Sequence, residues 1–177
     1  MIIIPGFLIS LITFPGVIVH EAAHMFFCKL RGVPVFDMCF LRIGNPSGYI
    51  VHGEIGDFTS AFLVSVGPLL INSLLCFLIC FPAYMPIQVF QLEHPLSYFL
   101  MWLGVSIGMH AFPSTHDATN LLEHAKKAAK NLNPLALLSF PLVLLIMAAN
   151  VLSFFWADLI YGVALGVGLP ALIFKSF

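Results

Sequence analysis

The sequence reads as an all-α polytopic membrane protein: one membrane domain over residues 1–177, with about five transmembrane helices and a small cytosolic-side β-hairpin between the first two. Composition is the first reason. Hydrophobic residues make up 60% of the chain and charged ones 8%, with a mean hydropathy of +1.04, whereas a soluble domain carries about a quarter charged residues. Segment length is the second, since several uncharged stretches approach the roughly 20 apolar residues that cross a bilayer. A net charge of −1 leaves no basic surface for nucleic acid, and the lipid bilayer is the expected surrounding.

The spans are expected at roughly 4–28, 60–81, 96–112, 134–153 and 157–174. Pro82 and Pro86 are expected to end the second, because proline removes a helical donor. The amino-terminal run has no basic n-region and no convincing small-residue cleavage site, so it reads as a retained helix. Lys and Arg fall in alternate connections: Lys29, Arg31 and Arg42 after the first span, Lys126, Lys127 and Lys130 after the third, Lys175 after the fifth. The positive-inside rule then puts the amino terminus outside and the carboxyl terminus in the cytosol. Cys28 and Cys39 would face a reducing side and Cys76 and Cys80 lie within a span, so no disulfide framework is expected.

Between the first two spans, "GVPVFDMCFLRIG" is rich in branched and aromatic residues, "NPSG" reads as a turn, and "YIVHGE" resumes extended character. Phe36, Met38 and Phe40 make one face of the first strand apolar, and Val35, Cys39 and Leu41 the other. Such a hairpin dips into the membrane interface or presses against the helices. Residues 116–133 place Leu121, Leu122, Ala125 and Ala129 at helical spacing, as in a surface helix whose lysines face headgroups.

Within "GVIVHEAAHMFFCKL", His20, Glu21 and His24 form H-E-x-x-H. Residues four apart share a helix face, so both imidazoles can bind one metal ion, and Glu21 is placed to act on a water there. An ionisable cluster inside a span is costly, and metal coordination offsets its desolvation. Zinc suits two nitrogens, a carboxylate oxygen and a water. Candidates for the third ligand are Asp117, His116 and His110, at the end of the third span that reaches the same depth. A di-iron site would need a second E-x-x-H, which the chain lacks. Cys28 shares the face of His24, but a fourth protein ligand would close the water position, so it is read as packing. Ser65, Pro68, Asn72, Ser106 and Pro113 are the residues expected to admit water and open a substrate path.

On these residues the chain resembles the site-2 protease family of intramembrane zinc metalloproteases. H-E-x-x-H lies near the cytosolic end of a span and is followed by the apolar strand region. "AFLVSVGPLLINSLL" is similar to the family's Gly-Pro helix. "FPSTHDATNLL" is similar to the segment in which an aspartate before a leucine pair supplies the third ligand. The likeness covers residues 14–123; residues 1–123 then form a catalytic core, and 124–177 add the surface helix and two further spans. It implies Zn2+ held by His20, His24 and Asp117, with Glu21 as catalytic base in a metalloendopeptidase acting on membrane-protein substrates with transmembrane segments. It also implies a role for Asn72 in holding substrate backbone, although Asn72 falls one residue later than the family's asparagine, and Ala118 and Thr119 replace a glycine after Asp117. Two alternatives stay open. One is a catalytically inactive relative acting by partner binding. The other is a metal or solute transporter, which would spread acidic and histidine residues over several helices.

Overall fold

The computed structural model describes residues 6–92 and 94–175 and is mostly helical. Residues 4 and 5 of the first expected span lie outside the described residues. That span is α1 (Gly6–Ile12) and α2 (Phe14–Leu30), divided at Thr13, whose N–H and hydroxyl both bond the Ile9 carbonyl. Then come β1 (Val35–Cys39), β2 (Tyr49–His52), α3 (Phe58–Tyr84), α4 (Pro95–Met109), α5 (Thr115–Lys130), α6 (Pro134–Leu152), α7 (Ala157–Val163) and α8 (Leu169–Lys175). A π turn, Ala164–Gly168, joins α7 to α8.

Three helical segments are long and apolar enough to cross a membrane: Phe58–Val89, Pro134–Leu152 and Ala157–Lys175. α4 is apolar but shorter, at 15 residues. Helix α3 opens on Asp57, whose side chain accepts the Ser60 N–H; these Ser60 hydrogen bonds hold its carboxyl below the usual carboxylate range. The helix does not stop before Pro82. It passes into a π turn, Met85–Val89, where the Phe90 N–H reaches the Met85 carbonyl at 3.0 Å. Pro82 is carried inside α3, and Pro86 falls at the start of the π turn, where a missing donor costs least.

β1 and β2 pair antiparallel, Met38 opposite Ile50 and Cys39 opposite Tyr49. Phe36 and Ile43 are 71% and 83% exposed, so the hairpin is not pressed flat on the helices. α2 and α4 run side by side in one direction, with Phe14 against Trp102 and Gly16 against the Ser106 carbonyl. A Cβ at Gly16 would collide with that carbonyl, so glycine sets how closely these helices approach.

α3 packs antiparallel to both, meeting α2 where Gly67 faces the Phe27 ring and α4 through Cys76 and Cys80, which are fully buried beneath Gly108 and Gly104. α7 and the π turn after it cover the other side of α4, bringing Gly162 and Gly166 to the same seam. Two G-x-x-x-G pairs, Gly104/Gly108 and Gly162/Gly166, therefore interlock around two cysteines, the small-residue packing that membranes favour because lipid supplies no hydrophobic drive between helices. α5 and α6 close the opposite flank with Leu121, Ala125, Val143 and Ile146 over Phe58 and Val66.

The last two helices correct the expected course of the chain. α6 starts near Phe58 and ends at Asn150, whose amide donates to the Pro113 carbonyl at 3.1 Å. After a corner at Trp156 (φ 65), α7 starts beside Phe112, whose ring lies 4.8 Å from that of Tyr161. α8 ends with Phe174 stacked on Phe81 and Tyr84 at 5.3 and 5.7 Å. Lys175 therefore lies at the Tyr84 end of α3, whereas Arg31 bonds Ser60 at the Phe58 end. Lys175 and Arg31, grouped on one side by sequence, are at opposite ends of α3. The reason is that α6 returns only to the level of Pro113 and α7–α8 complete the passage from there.

Filling the seam should cost stability. Gly108→Leu would put a Cβ 2.7 Å from Cys76 Sγ, and thermal unfolding in detergent should show a loss of about 1–3 kcal/mol. Leu74→Ala, on an exposed face at 58%, should change it by less than about 0.5 kcal/mol.

Candidate metal centre

His20 and His24 lie on the face of α2 that turns toward α3 and α4; His24 is 6% exposed. Each ring donates from Nδ1 to a backbone carbonyl, which can only accept. His20 Nδ1 bonds the His110 carbonyl at 2.6 Å, and His24 Nδ1 bonds the Val64 carbonyl at 2.9 Å. Both acceptors are carbonyls a helix leaves free. Val64 would ordinarily accept from the residue four on, but that residue is Pro68, which has no N–H. His110 caps the end of α4, where carbonyls have no partner further along. Asn72, fully buried, donates to the same His110 carbonyl and to that of Ile107, each at 3.1 Å.

With Nδ1 the donor, neutral imidazole turns a lone pair outward at Nε2. The two Nε2 atoms lie 3.2 Å apart, and Asp117 Oδ2 lies 3.4 Å from that of His24. Ligand atoms of His20, His24 and Asp117 all fall within 4.8 Å of one another. Donors about 2.05 Å from a tetrahedral zinc ion sit about 3.3 Å apart, so the two shortest spacings match. A proton on one imidazole would relieve one close contact at a time; a divalent ion satisfies all three donors together.

Asp117 is held from below. It is the third residue of α5 and forms a capping box: Ser114 donates to Oδ2 from its hydroxyl at 2.6 Å and its N–H at 3.1 Å, while the Asp117 N–H returns to Ser114 Oγ at 3.2 Å. Burial opposes a charge on Asp117, and the two Ser114 hydrogen bonds to Oδ2 favour it.

The other candidates lie elsewhere. His116 is exposed and pairs with the Asn120 amide at 3.1 Å. His110 Nε2 donates to the Thr13 hydroxyl at 2.8 Å, since that hydroxyl spends its own hydrogen on Ile9. Cys28 is a buried free thiol outside the converging group.

Glu21 is 9% exposed and lines a cleft of about 260 Å³ with His20, His110, Asn150 and Asp158. The hairpin turn roofs it: a Cβ on Gly48 would stand 2.7 Å from Glu21 Cγ. Ser65, Asn72, Ser106 and Pro113, expected to open a substrate path, are buried in the bundle and line no part of it beyond Pro113. Asn72 holds the protein's own backbone rather than reaching the cleft.

Sequence reasoning did not single out Ser114 or the cleft residue Asp158. The capping pattern Ser114-x-x-Asp117 was the available sign for the first; Asp158 enters through tertiary packing alone.

Compared with known proteins, the chain matches no protein-family model, no curated protein and no solved structure.

Pro68→Ala tests the support of His24. It supplies an N–H that competes for the Val64 carbonyl, so zinc affinity measured against a chelator should fall about 10- to 100-fold, the usual cost of losing an outer hydrogen bond, although alanine suits a helix better than proline. Unchanged affinity would show that this carbonyl does not orient the ring.

Proposed function

We propose that the protein is an intramembrane zinc metalloprotease that hydrolyses peptide bonds of membrane-embedded substrates. The observation that carries this reading is the convergence of His20 Nε2, His24 Nε2 and an Asp117 carboxylate oxygen beside a buried glutamate in a cleft. Three protein ligands leave the fourth position for water, as catalytic zinc sites require. When bound, zinc polarises a carbonyl and brings the pKa of water to about 7. Glu21 would take a proton from the attacking water and return it to the amine nitrogen as the C–N bond breaks. The hairpin turn at Gly48 covers Glu21 from one side.

A spanning substrate helix must unwind before its carbonyls can be attacked. The two-stranded hairpin next to the cleft leaves strand edges on which an extended segment can pair. A transporter fits less well, because the charged groups stand at one level and not along a path through the bundle.

In this reading the amino end of α1–α2 faces outward, the hairpin and Arg31 face the cytosol, and Lys175 faces outward too. α1–α2, α3 and α4 form the first passages, and α6 with α7–α8 the last, in place of five separate spans.

Two measurements bear on the proposal. Wild-type protein reconstituted with single-span test substrates should cleave them with about one zinc per chain. Glu21→Gln should retain the zinc and lose at least about 100-fold in rate, the usual contribution of a general base. Stoichiometric zinc without cleavage of any substrate would favour the inactive relative. In sealed vesicles, an epitope appended to the carboxyl end and one inserted at Ser47 should be protease-accessible from opposite faces; accessibility from one face would overturn the proposed course of α6–α8.

A further inference from the structure

Away from the metal centre, where α5 turns into α6, a second cavity of about 820 Å³ opens between that turn and the start of α3. Its polar wall carries Lys127, His124, Asn131 and Asn133. No acidic side chain lines it. The nearby Asp57 is directed to Arg31, 3.7 Å away, and Lys127 has no acidic partner among the described residues. Asn133 spends its carbonyl oxygen capping the Leu135 and Ala136 N–H groups, which leaves its NH₂ as a donor. The wall thus offers cationic and amide donors and suits an anion.

The cavity does not end there. Phe58 and Leu135 also line an adjoining groove of about 230 Å³, whose remaining walls include Phe62, Leu138 and Leu142. This groove runs along α3 and α6, two of the segments apolar enough to lie within a bilayer. A basic chamber at a helix end continued by an apolar channel along the membrane-facing helices has the polarity of one kind of molecule. We propose that it binds an anionic glycerophospholipid, the phosphate against Lys127 and His124 and one acyl chain in the Phe62–Leu138 groove. Basic pockets between membrane helices hold such headgroups. The groove selects lipid over free phosphate, because a headgroup alone leaves it uncovered.

The site joins the start of α3 to the α5–α6 hairpin, and α5 carries Asp117 at its other end. Lipid in this site ties together the elements that present the third ligand, so its occupancy should raise thermal stability. The inference needs the membrane setting but not the hydrolytic reading, and its test does not use cleavage.

The experiment is native mass spectrometry of the detergent-purified full chain incubated with equal amounts of phosphatidylglycerol and phosphatidylcholine of identical acyl chains, with glycerol 3-phosphate as a chain-free control. One phosphatidylglycerol should be retained at least about fivefold over phosphatidylcholine, and glycerol 3-phosphate should not be retained. Lys127→Gln should remove the preference. Lys126→Gln, a lysine of the same helix outside the cavity, should leave it intact. Leu138→Trp, which fills the groove, should lower retention of both lipids. Equal retention of the two lipids, or equal effects of the two lysine changes, would overturn the site in favour of nonspecific charge; retention of glycerol 3-phosphate alone would reassign it to a soluble phosphate.

Discussion

The structure depends on two hydrogen bonds, from the Nδ1 atoms of His20 and His24 to the carbonyls of His110 and Val64. Each joins α2 to a different helix, and each uses a carbonyl that its own helix cannot satisfy. In lipid an orphan carbonyl is costly, so the imidazoles satisfy α3 and α4 while those helices orient the imidazoles. The outcome is a forced one: with both Nδ1 protons committed, both Nε2 lone pairs point into the same small space. Asp117 adds a negative charge there. A shared cation would satisfy all three groups at once.

The remainder of the fold can be read as support for that geometry. Gly16 lets α2 approach the Ser106 carbonyl closely enough for His20 to reach His110. Asn72 steadies the same His110 carbonyl from α3. The Cys76/Cys80 seam, gripped by glycines of α4 and α7, fixes α3 against α4. On the far flank, Leu121 and Ala125 seat α5 against α3 and α6, which sets the height of the capping box and hence of Asp117. Helices α6 and α7 contribute through their corner: Asn150 ties it to Pro113, and Asp158 brings a second carboxyl to the cleft of Glu21.

Much of this was legible in the chain. H-E-x-x-H on an apolar helix, the switch to branched and aromatic residues after it, and an aspartate ahead of a leucine pair are local patterns, and His20, His24 and Asp117 are residues that the fold brings together. Pro68 was legible only as a residue; that its missing N–H frees a carbonyl for His24 depends on which helix crosses at that level. The prolines at 82 and 86 misled as well, since Pro82 is carried inside α3 and Pro86 opens the π turn that prolongs it. The grouping of Lys175 with the other basic residues failed because hydropathy counts apolar segments without knowing that α6 and α7 meet at the level of Pro113. Asn72 misled in the same manner: a polar residue on a membrane helix can satisfy backbone within the bundle as readily as it can face a substrate.

X-ray absorption at the zinc edge of the zinc-loaded wild-type protein is the most direct test of the central claim. Two imidazole nitrogens with oxygen neighbours at about 2.0–2.2 Å, and no sulfur, are the expected first shell. A third imidazole would bring in His110 or His116, and a sulfur at about 2.3 Å would bring in Cys28; either would contradict a centre built from His20, His24 and Asp117.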